Sequence, residues 1–213
     1  MKIVMRIKDP LRKTFIGAQV LAMILTTGLS SVRAQEQSIS DRMMHYRAVD
    51  SVVWAMPLLN YQQFRDGHIA LGIGYNDISY YSKVQNWKFQ TTTPNNTTPY
   101  VNFFWNVKDG PIVVEIPPSA DGVGIFGTLM DAWQRPIDDV GAKGRDTGRG
   151  GKYVLVPKGY QGPLLANAYT YEQRTNNGFA VLRAIIPDAS PENLKKAAKF
   201  AKKIKIYPLA QAN

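Results

Sequence analysis

Apolar residues follow two different spacings along the chain, and the spacing changes near residue 67. Before that point they recur every three or four positions, which is the period of an amphipathic helix. The positions that carry this pattern are Val49, Val52, Val53, Met56 and Leu59. Ser38, followed three residues later by Asp41, resembles the capping box that opens a helix. We therefore predict an N-terminal helical segment within residues 35–67 whose apolar face packs on a core, interrupted at Pro57 and ended by Gly67.

Beyond residue 67, short runs of β-branched and aromatic residues alternate with Gly, Pro, Asn and Asp, which is typical of a sandwich or a barrel. We predict strands at residues 69–72, 78–82, 100–107, 112–116, 124–133, 152–156, 164–170 and 179–186. Turn residues 108–111 and 175–178 predict two hairpins, because Asn and Gly accept the positive φ of tight turns. The predicted fold is mainly β with flanking α, and its sheets occupy residues 68–189.

The last segment, residues 190–213, predicts a basic amphipathic helix and a tail. Ser190 is the expected N-cap and Pro191 the first helical residue. One face carries the apolar residues Leu194, Ala197, Ala198, Ala201 and Ile204. Lysines cover the other face, which we interpret as a solvated surface, or as one that makes peripheral contact with anionic lipid or an acidic partner.

The net charge of +10 suggests nucleic-acid binding, but the positions of the charged residues along the chain do not support that interpretation. Residues 1–34 hold six Lys and Arg side chains and one acid, and residues 192–213 hold six lysines and one acid. Residues 35–191 therefore balance fourteen basic and fourteen acidic side chains. Because nucleic-acid-binding domains carry a basic face on the folded body, we predict that nucleic acid is not a partner.

The first 34 residues have the three parts of a secretory signal peptide. Basic residues precede an uncharged apolar run at residues 15–29, and Val32 and Ala34 supply the small residues of a cleavage site. An uncleaved membrane anchor is the alternative, but the run is shorter than the roughly 20 residues that span a bilayer. We predict cleavage after Ala34 and export to a bacterial periplasm. The chain has no cysteine, which excludes disulfides, thiolate zinc sites and a lipoprotein anchor.

Two glycine-rich segments resemble nucleotide-binding motifs but lack their context. Residues 122–127 match G-x-G-x-x-G, yet the prolines at 117–118 interrupt the strand that should come before. Residues 141–152 lack the Walker spacing, because Asp146 stands where the first glycine is required. This second segment carries Arg145, Asp146 and Arg149, and we interpret it as a solvated surface loop, or as a loop that grips an anion or ligand.

Three aspartates and one histidine supply the catalytic alternative. Asp131 lies near the end of a predicted strand, and Asp138 and Asp139 fall in the predicted turn that follows. Carboxylates here either do acid–base work or bond turn amides and pair with Arg135. An envelope hydrolase or metal-assisted enzyme would combine them with His45. No histidine stands in a recognisable nucleophile setting, and the spacing of the acids defines no metal site. The sequence therefore assigns no metal, leaves any cofactor unknown, and favours binding over catalysis.

Residues 93–100 are the densest run of turn residues, and they form either an ordered corner or part of a pocket that includes Tyr100. Together with the aspartate-rich and glycine-rich segments, they supply the candidate ligand contacts. These candidates are Asn95, Asn96, Tyr100, Asp131, Trp133, Asp138, Asp139, Arg145, Asp146 and Tyr153.

Six segments in order resemble the domain-of-unknown-function 1254 family. They read AVDSVVWAMPLLNY, TPNNTTPY, GPIVVEIPPS, DAWQRPIDDVG, GRGGKYVLVPKGYQG and KIKIYPL. The resemblance implies an exported bacterial envelope protein with an immunoglobulin-like β-sandwich and no assigned activity. Thr97 stands where the family usually has Asp, so the resemblance carries over no carboxylate there.

Family members usually continue after the IYPL motif into a second, jelly-roll-like domain, whereas this sequence ends at Asn213. Three hypotheses follow. The first is a ligand- or partner-binding β-sandwich without catalysis, and the second is the hydrolase described above. The third is an assembly subunit, the first half of a split protein, that docks a separately encoded second domain or forms a homo-oligomer.

Overall fold

The structure, a computed structural model, describes residues 38–86, 88 and 95–212. The chain divides into two compact units, Met1–Val52 and Val53–Asn213. The predicted signal peptide, its cleavage after Ala34, and the start of the 93–100 run lie outside the described residues. The described elements are helix α1 (Ile39–Ala70), strands β1 (Ile78–Tyr80), β2 (Tyr100–Asn106), β3 (Ile112–Ile116), β4 (Gly124–Asp131), β5 (Pro136–Gly141), β6 (Gly151–Val156), β7 (Tyr169–Glu172) and β8 (Asn177–Ile185), helix α2 (Pro191–Ala201), strand β9 (Lys205–Pro208) and a 3-10 turn (Leu209–Gln211).

The strands form two sheets. The five-stranded sheet has the order β1-β2-β8-β4-β5 with antiparallel pairs throughout, and the four-stranded sheet has the order β7-β6-β3-β9. The second sheet is mixed, because β6 and β7 run parallel. The prediction of a mainly β fold with a preceding and a following helix is confirmed.

One hydrophobic core joins the two sheets. Strand β2 contributes Val101, Phe103 and Trp105, and strand β3 contributes Val114 and Ile116, all at most 2% exposed. Alternate residues of a strand point to opposite faces, so a single run supplies these side chains to one face. Each fully buried side chain of this size stabilises the fold by about 1.5–3 kcal/mol.

The opposite face of the five-stranded sheet is also apolar at one end and is covered by α1. Tyr61 of the helix lies 5.4 Å from Phe179 of β8 between ring centroids, and Phe64 lies 5.3 Å from Phe104 of β2. Phe104 and Phe179 stack on each other with an interplanar angle of 15°. These aromatic contacts define which side of the helix packs on the sheet.

The prediction of which face of this helix is buried is wrong. Val53, Met56 and Leu59 are 60%, 58% and 48% exposed, whereas Tyr61 is 1% exposed. Val49 and Val52 belong to the first unit, whose described residues are all exposed. The aromatic side chains on the sheet select the helix face that presents aromatic rings, and this face is offset from the row of valines.

The end of α1 also differs from the prediction. Gly67 lies inside the helix, and Pro57 does not end it. The helix ends instead with Gly72 at φ 80°, where Gly72 N–H donates to the Ile69 carbonyl and Ile73 N–H donates to that of His68. This is the Schellman pattern, which needs a residue that tolerates positive φ. The strand predicted at residues 69–72 is therefore helix end and turn.

Both predicted hairpins are connections between sheets. Residues 108–111 connect β2 to β3. Residues 175–178 lead from β7 into the first residues of β8. In each case the two strands belong to different sheets. The prediction missed β5 and β9 and placed β7 several residues too early. Ser190 caps α2 as predicted, accepting from Asn193 N–H, and Pro191 is its first residue.

Gly178 gives a direct test of the core. A Cβ at this position would overlap the indole ring of Trp105, which is fully buried. We expect Gly178→Ala to lower the free energy of unfolding by about 1–3 kcal/mol, because the core must shift to admit the methyl group. Thermal or urea denaturation measures this change.

Gly67→Ala is the matched control, because no heavy atom lies within 4 Å of a Cβ built there. Alanine inside a helix is favoured over glycine by about 0.5–1 kcal/mol, so this variant should be slightly stabilised. Equal stability of the two variants would contradict the packing described for Trp105.

Candidate functional site

A groove of about 640 Å³ lies between α1 and the face of the five-stranded sheet that does not contact the core. We call it the helix–sheet groove. Its lining residues are Asn60, Gln63, Phe64, Tyr81, Gln85, Tyr100, Asn102, Met130, Gln134, Phe179, Val181 and Arg183. They all belong to the second unit. The volume falls in the range of ligand pockets, and the lining combines aromatic rings with side-chain amides.

Strand register arranges the floor of the groove. Strands β2 and β8 pair so that Tyr100 lies opposite Arg183, Asn102 opposite Val181, and Phe104 opposite Phe179. The Phe104–Phe179 end lies under the helix and is apolar. The Tyr100–Arg183 end carries the polar groups, so the groove changes from apolar to polar along the two strands.

Asn102 is the most unusual residue in the groove. Its side chain is buried, with 2% of the residue exposed, and within the described part of the chain its Oδ1 has no hydrogen-bond partner. The same side chain bonds the phenol of Tyr81, and so does that of Gln85. Burial is the main cause that raises the pKa of Tyr81, so its hydroxyl stays protonated. A buried acceptor without a donor costs about 1–3 kcal/mol.

Arg183 supplies the only charge among the described residues that line the groove. Its guanidinium carbon lies 5.4 Å from the ring centroid of Tyr100, within cation–π range. Tyr81 packs edge-on against the same ring at 6.4 Å. Among the described residues, no Asp or Glu oxygen lies within 4.0 Å of the Arg183 guanidinium.

The corner before β2 orders this end of the groove. Asn95 Oδ1 accepts from Thr97 N–H and Thr97 Oγ1, both at 2.8 Å, which forms an Asx turn. Its Nδ2 donates to the Tyr100 hydroxyl at 3.3 Å. Asn96 is exposed. Of the candidates predicted in this corner, Asn95 positions Tyr100, and Tyr100 lines the groove.

The turn after β4 borders the other side of the groove. Asp131 is buried, and its Oδ1 accepts from Trp133 N–H at 2.9 Å and Arg135 N–H at 3.0 Å. Arg135 Nε donates to the other oxygen at 2.7 Å. Trp133 packs on Trp54 at 4.6 Å between centroids, and Gln134 Nε2 donates to the Pro57 carbonyl at 2.8 Å. This turn holds the helix beside the sheet.

Asp146 organises the glycine-rich segment before β6. It is 1% exposed, and it accepts from Gly141 N–H at 2.6 Å, Gly150 N–H at 2.9 Å and the Tyr153 hydroxyl at 3.1 Å. Burial, followed by the charge of Asp146, raises the pKa of Tyr153 above its usual range. Arg145 lies over the ring of Tyr169 at 5.8 Å. The Asp146 carboxylate is thus bonded within the loop.

Asp138 and Asp139 lie on strand β5, and their predicted place in a turn is wrong. As neighbours on a strand they point to opposite faces. Asp138 accepts a hydrogen bond from the Tyr171 hydroxyl, and Asp139 accepts from Thr128 Oγ1 at 2.6 Å. Burial, followed by Asp138, raises the pKa of Tyr171.

His45, the predicted partner of these acids, belongs to the first unit, where its ring lies 5.8 Å from that of Tyr46. Across residues 38–86, 88 and 95–212, no three His, Asp or Glu side chains form a cluster suited to a metal ion.

The sequence profile of the family described as "Protein of unknown function (DUF1254)" matches residues 75–208. The chain belongs to this family. The match runs from just before β1 to the end of β9, so the DUF1254 region contains both sheets and α2. The strand floor of the helix–sheet groove lies inside the matched region, and the helix residues Asn60, Gln63 and Phe64 precede it.

A search of curated proteins finds no match to this DUF1254 chain. Among solved structures, it is similar to the crystal structure of the VPA0106 protein from Vibrio parahaemolyticus, with a TM-score of 0.60, 18% sequence identity and 76% of this chain covered. The chain spans 37% of the length of that protein. At this identity the likeness concerns the fold alone.

Among the described residues of the DUF1254 chain, no helix has the length and apolar character needed to cross a membrane.

Sequence reasoning missed Asn102 and Arg183 as site residues. Each is a polar side chain inside an otherwise apolar strand run, FFW after Asn102 and AVL before Arg183. A polar residue at such a position needs a partner or a solvent-facing site. That exception in the pattern was the signal available in the sequence.

We expect Asp146→Ala to lower the free energy of unfolding by about 3 kcal/mol, because two backbone amides and one phenol lose their acceptor. Chemical denaturation measures the loss. Asp139→Ala is the control, since Asp139 is exposed and its carboxylate accepts from one side-chain hydroxyl, that of Thr128. It should cost about 1 kcal/mol or less. A small effect of Asp146→Ala would contradict the structural role of this carboxylate.

Proposed function

We propose that this DUF1254 chain is an exported protein that binds a small polar ligand in the helix–sheet groove, without catalysis. The observation that carries the proposal is Asn102, a residue that lines the groove and whose buried Oδ1 lacks a donor among the described residues. A bound molecule with an O–H or N–H group would supply that donor. Sites of this kind trade stability for function.

The surroundings of Asn102 support binding over chemistry. The groove lining holds amides, aromatic rings and one guanidinium, with no described carboxylate or histidine to act as a general base. Asp131, Asp138 and Asp139 each accept hydrogen bonds within the fold. An envelope hydrolase built from these acids with His45 therefore has less support.

Export and the finer fold assignment rest on sequence features. The basic and apolar leader with small residues at Val32 and Ala34 supports a cleaved signal peptide and a periplasmic protein. The neutral body of residues 35–191 argues against nucleic-acid binding. The shared core of two sheets supports an immunoglobulin-like sandwich, although the parallel β6–β7 pair departs from an all-antiparallel arrangement.

A second candidate function is assembly with a separately encoded second domain or with another copy of the chain. It is supported by the exposed apolar residues Val53, Met56 and Leu59. Contact of the α2 lysines with an anionic membrane is a further proposed interaction. Analytical ultracentrifugation of the chain tests self-assembly, because a monomer at all concentrations would count against it.

The binding proposal predicts opposite effects for two asparagines on the same strand. Asn102→Leu should leave the Tm unchanged or raise it, because it removes an unpaired buried amide oxygen, while the Tyr81 phenol that loses its bond to Asn102 keeps Gln85 as a partner. Asn106→Leu should lower the Tm, because Asn106 Nδ2 donates to Asn177 Oδ1 at 2.6 Å and its Oδ1 accepts from Lys108 N–H. Thermal denaturation of the full chain measures both.

The same two variants test binding. In a thermal-shift screen of envelope glycan fragments and small metabolites, at least one compound should raise the Tm of the wild type and of Asn106→Leu. The shift should be lost in Asn102→Leu. A screen in which no compound shifts the wild type, or in which Asn102→Leu responds equally, would contradict the proposal.

A further inference from the structure

We infer that the ligand of the helix–sheet groove is a sugar acid, a polyhydroxylated ring with one carboxylate, whose carboxylate meets Arg183 and whose hydroxyl donates to Asn102 Oδ1. This inference rests on the proposed function and names the ligand class for the same site. Three observations carry it: the charge of the lining, the unpaired acceptor, and the mixture of aromatic rings with amides.

The charge of the groove selects one negative charge on the ligand. Arg183 is the only charged residue among the described lining residues, and no described acid lies within ion-pair distance of it. Its stacking on Tyr100 holds the guanidinium at the polar end of the groove. A planar guanidinium bonds a carboxylate through two parallel hydrogen bonds. A cationic ligand would meet an uncompensated positive charge, and a phosphate dianion would keep one charge unpaired.

The unpaired acceptor requires a hydroxyl or amide donor on the ligand. Asn102 Oδ1 is buried, and the other end of this amide bonds the Tyr81 phenol. Tyr100 and Asn102 are two residues apart on one strand, which separates their Cα atoms by about 7 Å. Arg183 is the register partner of Tyr100, so the carboxylate and hydroxyl positions lie one short molecule apart. A single sugar ring with its carboxylate matches this spacing.

The remaining lining fits a polyhydroxylated ring. Side-chain amides both donate and accept, as a ring with several hydroxyls requires, and Gln63, Gln85 and Gln134 line the groove. Tyr81, Tyr100 and Phe64 supply aromatic surface for the C–H face of the sugar ring. A purely apolar ligand would displace water from the amide donors and acceptors of the lining that have no protein partner.

The test compares each sugar acid with its neutral sugar. Isothermal titration of the full chain uses D-glucuronate and D-galacturonate as probes, with D-glucose and D-galactose as neutral counterparts. At least one acid should bind at least tenfold more tightly than its neutral sugar. Arg183→Gln should remove that preference, and Arg183→Lys should retain part of it because the charge remains.

Arg174→Gln is the matched control, because Arg174 is exposed, lies between β7 and β8, and does not line the groove. It should leave the preference intact. Equal binding of acid and neutral sugars, no binding of either acid, or an undiminished preference in Arg183→Gln would each overturn the inference. A different result would contradict the proposed function, namely that no compound produces a thermal shift that depends on Asn102.

Discussion

The central strands β2 and β8 carry large apolar side chains on both faces, and this constraint determines how the rest of the molecule is built. Phe103 and Trp105 point into the core between the sheets, while Phe104 and Phe179 point the other way. Exposed aromatic rings on the second face would cost free energy, so α1 covers them with Tyr61 and Phe64. The cover is incomplete toward Tyr100, and the uncovered stretch is the helix–sheet groove.

The groove therefore follows from the same alternation that makes the core. Along β2, the face that begins with buried Phe104 continues to Asn102 and then Tyr100, so polarity rises with distance from the aromatic contacts of the helix. The Asp131 turn and the Asn95 corner hold the two borders of this stretch. The structural carboxylate of Asp131 thus lies beside the polar groove and is not among its lining residues.

Sequence patterns predicted what depends on local chemistry. The capped start of α2 and the strand Ile112–Ile116 depend on nearby residues, and the structure confirms both. The packing face of α1 depends on which rings the sheet presents, and the turns at residues 108–111 and 175–178 depend on which sheet receives the next strand. Those are long-range facts that a local pattern does not contain.

The candidate site shows the same division. Tyr100, a predicted ligand contact, lines the groove. The predicted contacts Asp146 and Tyr153 bond each other, and Asp146 also accepts from two loop amides. Local sequence patterns did not indicate Asn102 and Arg183 as site residues, because the residues that pair with them across the sheet are far away in sequence.

An NMR titration of the isotope-labelled full chain tests the central claim most directly, with the tighter-binding of D-glucuronate and D-galacturonate as the ligand. Binding in the groove predicts that the side-chain amide of Asn102 shifts, together with backbone amides at Val181, Arg183 and Gln63, which line the same groove. Shifts confined to the Asp146 loop or to α2, or no shift at Asn102 at saturating ligand, would contradict the account.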